Sequence, residues 1–508
     1  MSAARLLVVG TASNAGKSVL VTGLCRLYAR RGFRVAPFKA QNMALNSFVT
    51  PEGGEIGRSQ AVQAEACGLT PSVLLNPVLL KPNSDHTSQV IVLGKAVATM
   101  DAKAYYAFRH TLKPRVLEAF NTLAAESDLV IMEGAGSPAE INLRENDLVN
   151  MGMAAMADAP AVLVGDIDRG GVFASLYGTV KLLEPDERAR IKGIVINRFR
   201  GDLAILEPGL RRIEVLLGIP VLGVLPYWDI RVEEEDSLAE RLTGARAAGP
   251  GDVDIAVIRL PRIANFTDFG IFDLLHGVSL RYVKPGESLG SPDLCIIPGS
   301  KSTIADMRVL DETGMAGAIR RYHASGGVVA GVCGGYQMLG REVADPSGAE
   351  SDIPLAGGLG LLDVTTVFSP EKQTVQAEGR VLPVPGPLAG ATGSRVEGYE
   401  IHMGRTVTGA GTRPLLELRR GGTEGAVSPD GRVFGTYLHG IFDSFPFVRS
   451  LVNHLRERKG LQPLEQETAA HETYREYRMA QYDRLADMLE RHLDLRALET
   501  IIALDAKK

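Results

Sequence analysis

The most constraining feature of this sequence is an apolar run that leads directly into a loop of small residues. Leu6-Leu7-Val8-Val9 precedes Gly10, and the loop ends in Gly16-Lys17-Ser18. The apolar run predicts a buried strand, and the residues from Ser18 to Arg31 have a helical pattern. A strand, a short loop and a helix in this order are typical of a parallel α/β sheet, where the loop directs backbone N–H groups toward a phosphate.

The residue types of this loop predict a nucleotide-binding site. Lys17 is placed to reach the outer phosphates, and the Ser18 hydroxyl is placed to bind Mg²⁺. The spacing differs from the common phosphate loop, because Thr11 stands five residues before Gly16 and the first glycine comes one position earlier. This variant resembles the phosphate loop of the dethiobiotin synthetase-like ATPases. The resemblance implies contacts with ATP from Gly10, Thr11, Asn14, Ala15, Gly16, Lys17, Ser18 and Lys39.

Two charged residues elsewhere in the N-terminal half fit the same site. Glu133 ends the apolar run Ile131-Met132, and Lys39 follows Ala36-Pro37-Phe38. A carboxylate at the end of a strand can hold Mg²⁺ beside the phosphates, and a lysine there can add positive charge at the transferring phosphate. We therefore predict Ser18 and Glu133 as magnesium ligands and Lys39 as a second cation.

Apolar runs alternate with helical stretches through the first 240 residues or so. This alternation predicts a parallel sheet with helices on both faces and ligands at the carboxyl ends of its strands. The predicted strands are Leu6–Val9, Arg34–Phe38, Leu129–Met132, Ala161–Gly165, Ile191–Ile196 and Val221–Leu225. The predicted helices are Ser18–Arg31, Ala104–Ala125 and Gly171–Leu183.

The small-residue run Thr243–Gly251 predicts a linker. A second alternating pattern begins with Ile255–Leu260, and residues 360–440 have the Gly, Pro and β-branched content of antiparallel strands. Two helical stretches follow, at Pro446–Arg458 and about Glu465–Leu495. We therefore expect three domains, at residues 1–242, 252–447 and 448–508.

The second half carries a cysteine between a strand pattern and a helix pattern. Cys333 lies in Gly331-Val332-Cys333-Gly334-Gly335, after Gly327–Ala330 and before Tyr336–Leu339. A Gly-x-Cys-x-Gly in this context is the thiol version of the nucleophile elbow, a sharp turn that exposes the side chain. The N–H of Gly334 can then face the oxyanion of a tetrahedral intermediate. The pattern predicts Cys333 as a nucleophile.

A cysteine nucleophile needs a base that holds it as a thiolate. Among the nine histidines, His439 follows the apolar run Phe434–Leu438 and precedes a turn, where it can meet the elbow across strand ends. His402, in Gly398–His402, is the rival candidate.

Composition and charge exclude several classes of protein. The chain has 508 residues, 45% of them hydrophobic, and a net charge of −5. This charge and the lack of a basic run argue against nucleic-acid binding. No apolar stretch approaches a membrane span, and no signal peptide fits the N-terminus. Four cysteines (Cys25, Cys67, Cys295 and Cys333) lie far apart without metal-type spacing, which favours a reducing, cytoplasmic setting.

An ATP-binding half and a thiol half in one chain predict one joint reaction. The thiol half can hydrolyse glutamine through a γ-glutamyl thioester and release ammonia. The ATP half can phosphorylate a carboxylate, and ammonia then attacks the acyl phosphate to give an amide. A shielded path keeps the ammonia unprotonated.

The chain resembles the adenosylcobyric acid synthase family, the glutamine-dependent amidotransferases of cobalamin biosynthesis, over nearly its whole length. The matching segments are Gly10–Ser18, Pro37–Ser47, Asn76–Pro82, Ser88–Val92, Met132–Gly136, Gly165–Phe173, Pro298–Thr303, Gly331–Gly335, Gly398–His402 and Tyr437–Gly440. The resemblance implies an α/β fold: an N-terminal dethiobiotin synthetase-like phosphate-loop domain with a parallel sheet, a class I glutamine amidotransferase-like domain, and C-terminal helices.

The resemblance also implies the reaction and the residues that perform it. Four peripheral carboxylates of adenosylcobyrinic acid a,c-diamide, a corrin, are amidated with one glutamine and one ATP each. Cys333 is then the nucleophile and His439 the base, with an oxyanion hole from Gly299, Ser300 and Gly334. Many amidotransferases carry a glutamate two residues after this histidine, but here that position is Ile441. The third member is therefore supplied elsewhere, or the site is a Cys–His dyad.

Three alternatives stay open at this point. The sister enzyme, cobyrinic acid a,c-diamide synthase, shares both domain types, but the run Phe38–Met43 favours the family named above. CTP synthase couples the same modules, but has the His-x-Glu that this chain lacks. A non-enzymatic nucleotide switch with a degenerate amidotransferase domain conflicts with an intact Cys333 and His439. The sequence permits a homo-oligomer and predicts neither a nucleic-acid nor a membrane partner.

Overall fold

The chain folds into two compact units. The computed structural model of the protein describes residues 3–84, 86–233, 249, 251–464 and 474–504. The first unit takes its described residues from Met1–Met43, Glu55–Glu233 and Arg478–Lys508, and the second from Ala44–Gly54 and Glu234–Tyr477. Of the predicted linker 243–251, only residues 249 and 251 lie within the described ranges.

The first unit is built on a six-stranded sheet whose neighbouring strands all run parallel. All six predicted strands are confirmed. Alternate residues of the first strand enter different cores: Leu7 and Val9 join one cluster, and Leu6 and Val8 join another. The sheet is therefore buried on both faces, as expected for a parallel sheet. Its strands, in spatial order, are Val221–Pro226, Ile191–Phe199, Ala161–Asp166, Ala4–Gly10, Leu129–Glu133 and Val35–Phe38.

Helices cover both faces of this sheet. The helix predicted over Ala104–Ala125 is wrong as a single element, because it divides into Ala102–Arg109, a 3₁₀ turn at His110–Leu112, and Lys113–Glu126. Pro114 lies in the first turn of the last piece, where its missing N–H is tolerated, whereas inside a longer helix it would remove a hydrogen bond. The other helices of this unit up to residue 233 are Lys17–Arg30, Arg58–Ala66, Met151–Met156, Val172–Leu182, Pro185–Arg190 and Leu203–Leu217.

The C-terminal helices complete the core of the first unit. Leu485 and Leu489 belong to the same buried cluster as Leu20 and Leu24. The approach is close, since a Cβ on Gly23 would lie 2.5 Å from Leu489 Cδ1. The helices are Tyr474–His492 and Leu495–Ile501, whereas Phe445–Arg458 belongs to the second unit. Residues 465–473 of the predicted helix lie outside the described ranges. The described part of 448–508 is thus shared between the units, and the three expected domain ranges stay a prediction.

Smaller elements fill the rest of the first unit. A four-stranded sheet pairs Gln41–Met43 in parallel with Val78–Pro82, and two antiparallel strands follow, Thr87–Val92 and Lys95–Asp101. A short strand at Glu55–Gly57 and 3₁₀ turns at Val73–Leu75 and Ile141–Leu143 complete it. No helix in the described ranges has both the length and the apolar character needed to cross a membrane.

The second unit has its own six-stranded sheet, parallel except at one edge. The predicted strand Leu294–Ile297 is confirmed, and Val328–Val332 lies beside it in the sheet interior. In spatial order the strands are Val278–Val283, Val253–Ile258, Leu294–Ile297, Val328–Val332, Val433–Thr436 and Ala426–Val427. Its helices are Thr303–Glu312, Met315–Ala324, Gly334–Leu339 and Phe445–Arg458, with 3₁₀ segments at Phe266–Leu274, Gly386–Ala391 and Ile441–Asp443.

A second sheet in this unit confirms the antiparallel pattern predicted for residues 360–440. Its centre is the antiparallel pair Val364–Val381 and Arg395–Thr408. The remaining strands are Glu342–Ala344, Leu355–Gly357, Leu416–Leu418 and Thr423–Glu424. A two-stranded pair, Ile263–Ala264 with Gly299–Ser300, and the strand Ser47–Val49 complete the unit.

Candidate active sites

Cys333 occupies a strained turn at the end of a buried strand. It follows Val328–Val332 and precedes the helix Gly334–Leu339. Its backbone has φ 51° and ψ −110°, a combination that a residue with a side chain rarely adopts. Its N–H donates to the carbonyl of Thr436 at 2.8 Å, on the neighbouring strand. Such strain persists where the surroundings enforce it, and it is frequent at functional sites.

The structure brings His439 to this cysteine. His439 is buried at 1% exposure, and the neighbouring Cys333 contributes to raising its pKa. The Cys333 thiol itself donates to the carbonyl of Ile401 at 3.5 Å. Its Nδ1 lies 2.7 Å from Oδ2 of Asp268, a carboxylate that sequence reasoning did not identify. The other oxygen of Asp268 accepts the N–H of Gly440 at 3.3 Å. Because a carboxylate accepts the Nδ1 proton, the opposite nitrogen, Nε2, is the one that can exchange a proton with the thiol. The Nδ2 of Asn265 lies 3.3 Å from the same nitrogen.

Asp268 answers the question of whether Cys333 and His439 have a third catalytic partner or form a dyad. The acid is supplied from the 3₁₀ segment Phe266–Leu274, so the interpretation as a bare Cys–His dyad is wrong. Burial by itself lowers the pKa of His439, but the charge and hydrogen bond of Asp268, with a smaller contribution from Cys333, outweigh burial and raise this pKa to about 10. The imidazolium is therefore favoured at neutral pH, which suits a thiolate partner.

Replacing Asp268 with asparagine is expected to move the alkaline limit of glutamine hydrolysis. With the raised pKa, the imidazolium persists at neutral pH and is lost only as the pH rises toward about 10. Without the carboxylate charge, the pKa of His439 falls, so the activity that depends on the thiolate–imidazolium pair should be lost at least about one pH unit lower. The measurement is the pH dependence of kcat/KM for glutamine hydrolysis.

Asp311→Asn provides the control for this experiment. Asp311 is an exposed residue of the helix Thr303–Glu312, and the substitution makes the same change of charge in the same unit. Its pH profile should match that of the unaltered protein. An unchanged alkaline limit in Asp268→Asn would show that Asp268 does not control the protonation of His439.

His402, the rival base, has different neighbours. Its ring stacks on Tyr437 with centroids 3.7 Å apart and planes 14° apart. Its Nδ1 lies 2.7 Å from the carbonyl of Gly404, and its Nε2 lies 3.5 Å from Oε2 of Glu400. These contacts fit a packing role beside the site better than the role of the base.

The residues predicted for the oxyanion hole lie together. A Cβ placed on Gly334 would be 2.8 Å from the backbone nitrogen of Ser300, and one on Gly299 would be 3.3 Å from Cε1 of His439. The Ser300 hydroxyl donates to Asp306 at 2.7 Å, which anchors this turn. Burial raises the pKa of the Asp306 carboxyl to about 6, although the Ser300 hydrogen bond opposes the rise.

The predicted phosphate loop has the geometry of an anion cradle. Gly16 has φ 104°, and a Cβ there would lie 1.9 Å from the side-chain nitrogen of Asn197, so only glycine fits. The Asn197 amide supports the loop by donating to the carbonyl of Ala15 at 2.9 Å. Lys17 Nζ donates to the carbonyls of Ala12 at 2.9 Å and Gly136 at 3.0 Å. The ammonium group is thus held across the mouth of the loop, at the start of the helix Lys17–Arg30. Of the other predicted contact residues, Gly10 ends the strand Ala4–Gly10, and Thr11 and Asn14 belong to the loop that follows it.

Glu133 joins the predicted residues of this site into one network. Its Oε1 accepts from Ser18 Oγ and from Lys39 Nζ, each at 2.9 Å, and its Oε2 accepts from Gln63 at 2.6 Å. Burial opposes ionisation of Glu133, but the charge of Lys39 and these hydrogen bonds outweigh burial and hold its pKa below the usual range. An ionised carboxylate and a hydroxyl side by side are the oxygen donors that suit Mg²⁺, which usually takes one or two protein ligands beside phosphate oxygens and water.

Asp268 and Gln63 are the site residues that sequence reasoning missed. Asp268 lies 171 positions before His439 in Asn265-Phe266-Thr267-Asp268, which matches no general motif. Gln63 lies in the helix Arg58–Ala66, and its side chain is fully buried. In the sequence, a glutamine among alanines is a weak indication of a buried functional residue. For Asp268 the sequence offers no such indication.

Both halves of the chain match family models. Residues 254–447 match the CobB/CobQ-like glutamine amidotransferase domain, and residues 6–238 match the CobQ/CobB/MinD/ParA nucleotide binding domain. A thiol with its histidine and carboxylate in one domain, and a phosphate loop in the other, define the class: an ATP-driven amide ligase that uses glutamine, a glutamine amidotransferase.

Relatives along the entire chain narrow this class to one family. A cobyric acid synthase of Citrobacter koseri is 50% identical over 98% of this chain and 98% of its own length. A cobyric acid synthase of Yersinia enterocolitica is 50% identical over 96% of each chain. The chain belongs to the cobyric acid synthase family, whose enzymes act in cobalamin biosynthesis. The solved structure of PurLQS from Thermotoga maritima is 18% identical over 40% of this chain and 99% of its own, with a TM-score of 0.33, too low to add to the argument.

Proposed function

We propose that this enzyme amidates four peripheral carboxylates of adenosylcobyrinic acid a,c-diamide to give adenosylcobyric acid. Each step uses one glutamine and one ATP. The observation that carries the proposal is that one chain, 50% identical to a cobyric acid synthase along 98% of its length, places an imidazole–carboxylate pair beside a cysteine elbow and a Lys–Ser–Glu network at a phosphate loop. The corrin is a small molecule, and no nucleic-acid or membrane partner is needed.

In the amidotransferase site, Cys333 is the nucleophile. Its thiolate attacks the side-chain amide carbon of glutamine, and Gly299, Ser300 and Gly334 surround the oxyanion that forms. The imidazolium of His439 gives its proton to the departing nitrogen, so ammonia leaves and a γ-glutamyl thioester remains. His439 then takes a proton from water, the resulting hydroxide attacks the thioester carbon, and the sulfur leaves as the thiolate, which gives glutamate and restores the thiolate–imidazolium pair.

In the nucleotide site, the protein supplies charge and position. Gly10, Thr11, Asn14, Ala15 and Gly16 form the loop that cradles the phosphates, and Lys17 and Lys39 balance their charge. Ser18 and Glu133 are the proposed ligands of Mg²⁺, which when bound neutralises charge on the phosphates. A carboxylate oxygen of the corrin attacks the γ-phosphorus and ADP leaves. Ammonia then attacks the acyl carbon, and phosphate departs as the amide forms.

The sister reaction is the second candidate function. Cobyrinic acid a,c-diamide synthase would use the same two sites on two other carboxylates. The relatives named cobyric acid synthase favour the four-carboxylate reaction. We place the reaction in the cytoplasm, because a free Cys333 thiol needs a reducing compartment. A homo-oligomer is compatible with this scheme.

The test is mass spectrometry of adenosylcobyrinic acid a,c-diamide after incubation with the enzyme, glutamine and Mg·ATP. Each step replaces a hydroxyl with an amino group, so the spectrum counts the amidations. We expect a final product with four added amides. A substrate that stays unchanged while glutamine is hydrolysed would overturn the substrate assignment and favour the sister acid, which serves as the parallel sample.

A further inference from the structure

A short segment of the N-terminal half is part of the amidotransferase unit. Residues Ala44–Gly54 belong to the second unit, although the residues on both sides of them, Met43 and Glu55, belong to the first. The segment includes the end of the run Pro37–Ser47, for which the two reactions described above provide no role.

The backbone of Ser47 holds two side chains that flank His439. The Ser47 N–H donates to Oδ1 of Asn265 at 2.9 Å, and the hydroxyl of Tyr399 donates to the Ser47 carbonyl at 2.8 Å. The Nδ2 of Asn265 lies 3.3 Å from Nε2 of His439. The Tyr399 ring stacks on the imidazole, with centroids 5.3 Å apart and planes 23° apart. One residue of the segment therefore fixes contacts on two sides of the histidine.

The Ser47 N–H also determines which way the Asn265 amide points. A backbone N–H only donates, so it requires the amide oxygen, and the amide nitrogen must then face His439. That nitrogen only donates, and it needs a lone pair on Nε2. Asp268 already takes the proton of Nδ1. Asn265 therefore opposes the protonation of Nε2 that Asp268 favours, because an imidazolium would place two donors face to face.

The position of Asn265 is fixed by its burial, its backbone conformation and the hydrogen bonds of the turn that carries it. The residue is 2% exposed and has φ 52°, a conformation that asparagine tolerates better than most residues. The next residue, Phe266, donates its N–H to Oδ1 of Asn46 at 3.2 Å. Two successive residues of the segment, Asn46 and Ser47, thus anchor the turn that carries Asn265.

We propose that Asn265 is a positioning residue that opposes the protonation of Nε2 of His439, so that the imidazolium favoured by Asp268 gives up its proton to the departing ammonia, and that the segment 44–54 holds Asn265 in this role through Ser47. The proposal rests on the proposed roles of Cys333 and His439. Once the Ser47 N–H moves away, the amide can rotate and present its oxygen, which stabilises the imidazolium instead. Because the chain continues from both ends of the segment into the nucleotide-binding unit, this segment is a covalent connection from that unit to the base of the glutaminase.

Asn265→Asp is the decisive variant. Aspartate keeps the size, tolerates the positive φ, and still accepts the Ser47 N–H, but it presents an acceptor to Nε2. Asp268, Cys333 and Tyr399, the titratable groups that face His439 in the described ranges, are unchanged. We expect kcat for glutamine hydrolysis to fall at least about tenfold. We also expect the pH midpoint for alkylation of Cys333 by iodoacetamide, followed on the Cys333 peptide, to fall by about one unit, because a favoured imidazolium stabilises the thiolate.

Two further variants serve as a control for the change of charge and as a replacement if Asn265→Asp does not fold. Asn453→Asp makes the same change of charge in the same unit, at a side chain whose Oδ1 also accepts a backbone N–H, from Leu464 at 2.7 Å, and it should behave like the unaltered protein. Asn265→Gly keeps the positive φ and removes the amide, so it should move the midpoint in the same direction by less. It replaces Asn265→Asp if that variant fails to fold, as judged by circular dichroism.

The outcomes separate this inference from the proposed function. An unchanged alkylation midpoint in Asn265→Asp would overturn the inference, even with a lower kcat, because a merely structural role would lower activity without moving the midpoint. Glutamine hydrolysis that survives in Cys333→Ala would instead overturn the proposed function. A lower midpoint and lower kcat, together with an inactive Cys333→Ala, would support both.

Discussion

Cys333→Ala is expected to lose glutamine-dependent amidation by at least about 10⁴-fold while it keeps amidation with ammonia. Removal of the sulfur prevents the γ-glutamyl thioester, so no ammonia is released from glutamine. The phosphate-loop site contains no atom of Cys333, and ammonium salt at high concentration and mildly alkaline pH supplies the nucleophile directly. The measurement is the initial rate of amide formation with each nitrogen source.

Cys295→Ala is the matched control for this variant. Cys295 is a buried thiol in the neighbouring strand Leu294–Ile297 of the same sheet. Its replacement should cost about 1 kcal/mol of folding free energy and leave glutamine use intact. If Cys333→Ala lost amide formation to the same extent with glutamine and with ammonia, the cysteine would not serve to supply nitrogen.

Lys17→Ala is expected to lose both routes to the amide, by roughly 10³-fold. The ammonium group of Lys17 is held across the phosphate loop by the carbonyls of Ala12 and Gly136. Without it, the negative charge that develops on the transferred phosphate loses the positive charge held at the loop. Added ammonia cannot restore the rate, because no acyl phosphate forms. The measurement is ATP-dependent amide formation with glutamine and with ammonia.

Lys192→Ala provides the comparison for a lost lysine. Lys192 is an exposed residue of the strand Ile191–Phe199 in the same unit, and its removal should leave both rates unchanged. Glutamine hydrolysis measured in the same Lys17→Ala preparation reports that the amidotransferase unit is intact. If Lys17→Ala forms amide from ammonia at the normal rate, the loop does not handle the phosphates of the reaction.

Local sequence patterns predict many of the strands and site residues of this protein. The residues in each pattern are either close together in the chain or brought together by the regular geometry of a parallel sheet. The strand Leu129–Glu133 and the elbow at Cys333 are each readable from fewer than about ten residues. Parallel strands then bring their carboxyl ends to one edge, so Glu133 lies beside Ser18 at the start of the helix that follows the loop.

Contacts between segments that are far apart in the chain could not be predicted from the sequence. Asp268 reaches His439 from a 3₁₀ segment, and neither its spacing nor its neighbours mark it as special. The association of residues 44–54 with the second unit has no signal in composition either. The division of the helix predicted at Ala104–Ala125 was readable, since Pro114 marks the start of its second half.

The order in which this chain is synthesised gives the C-terminal helices a particular importance. The cluster around Leu20 and Leu24, under the phosphate-loop helix, is completed by Leu485 and Leu489. During translation, this apolar face of the nucleotide-binding unit therefore stays uncovered until the second unit and the helix that carries Leu485 and Leu489 have been synthesised. A gene cut after the first unit's last N-terminal strand would encode a product without Leu485 and Leu489, and the apolar face around Leu20 and Leu24 would stay exposed.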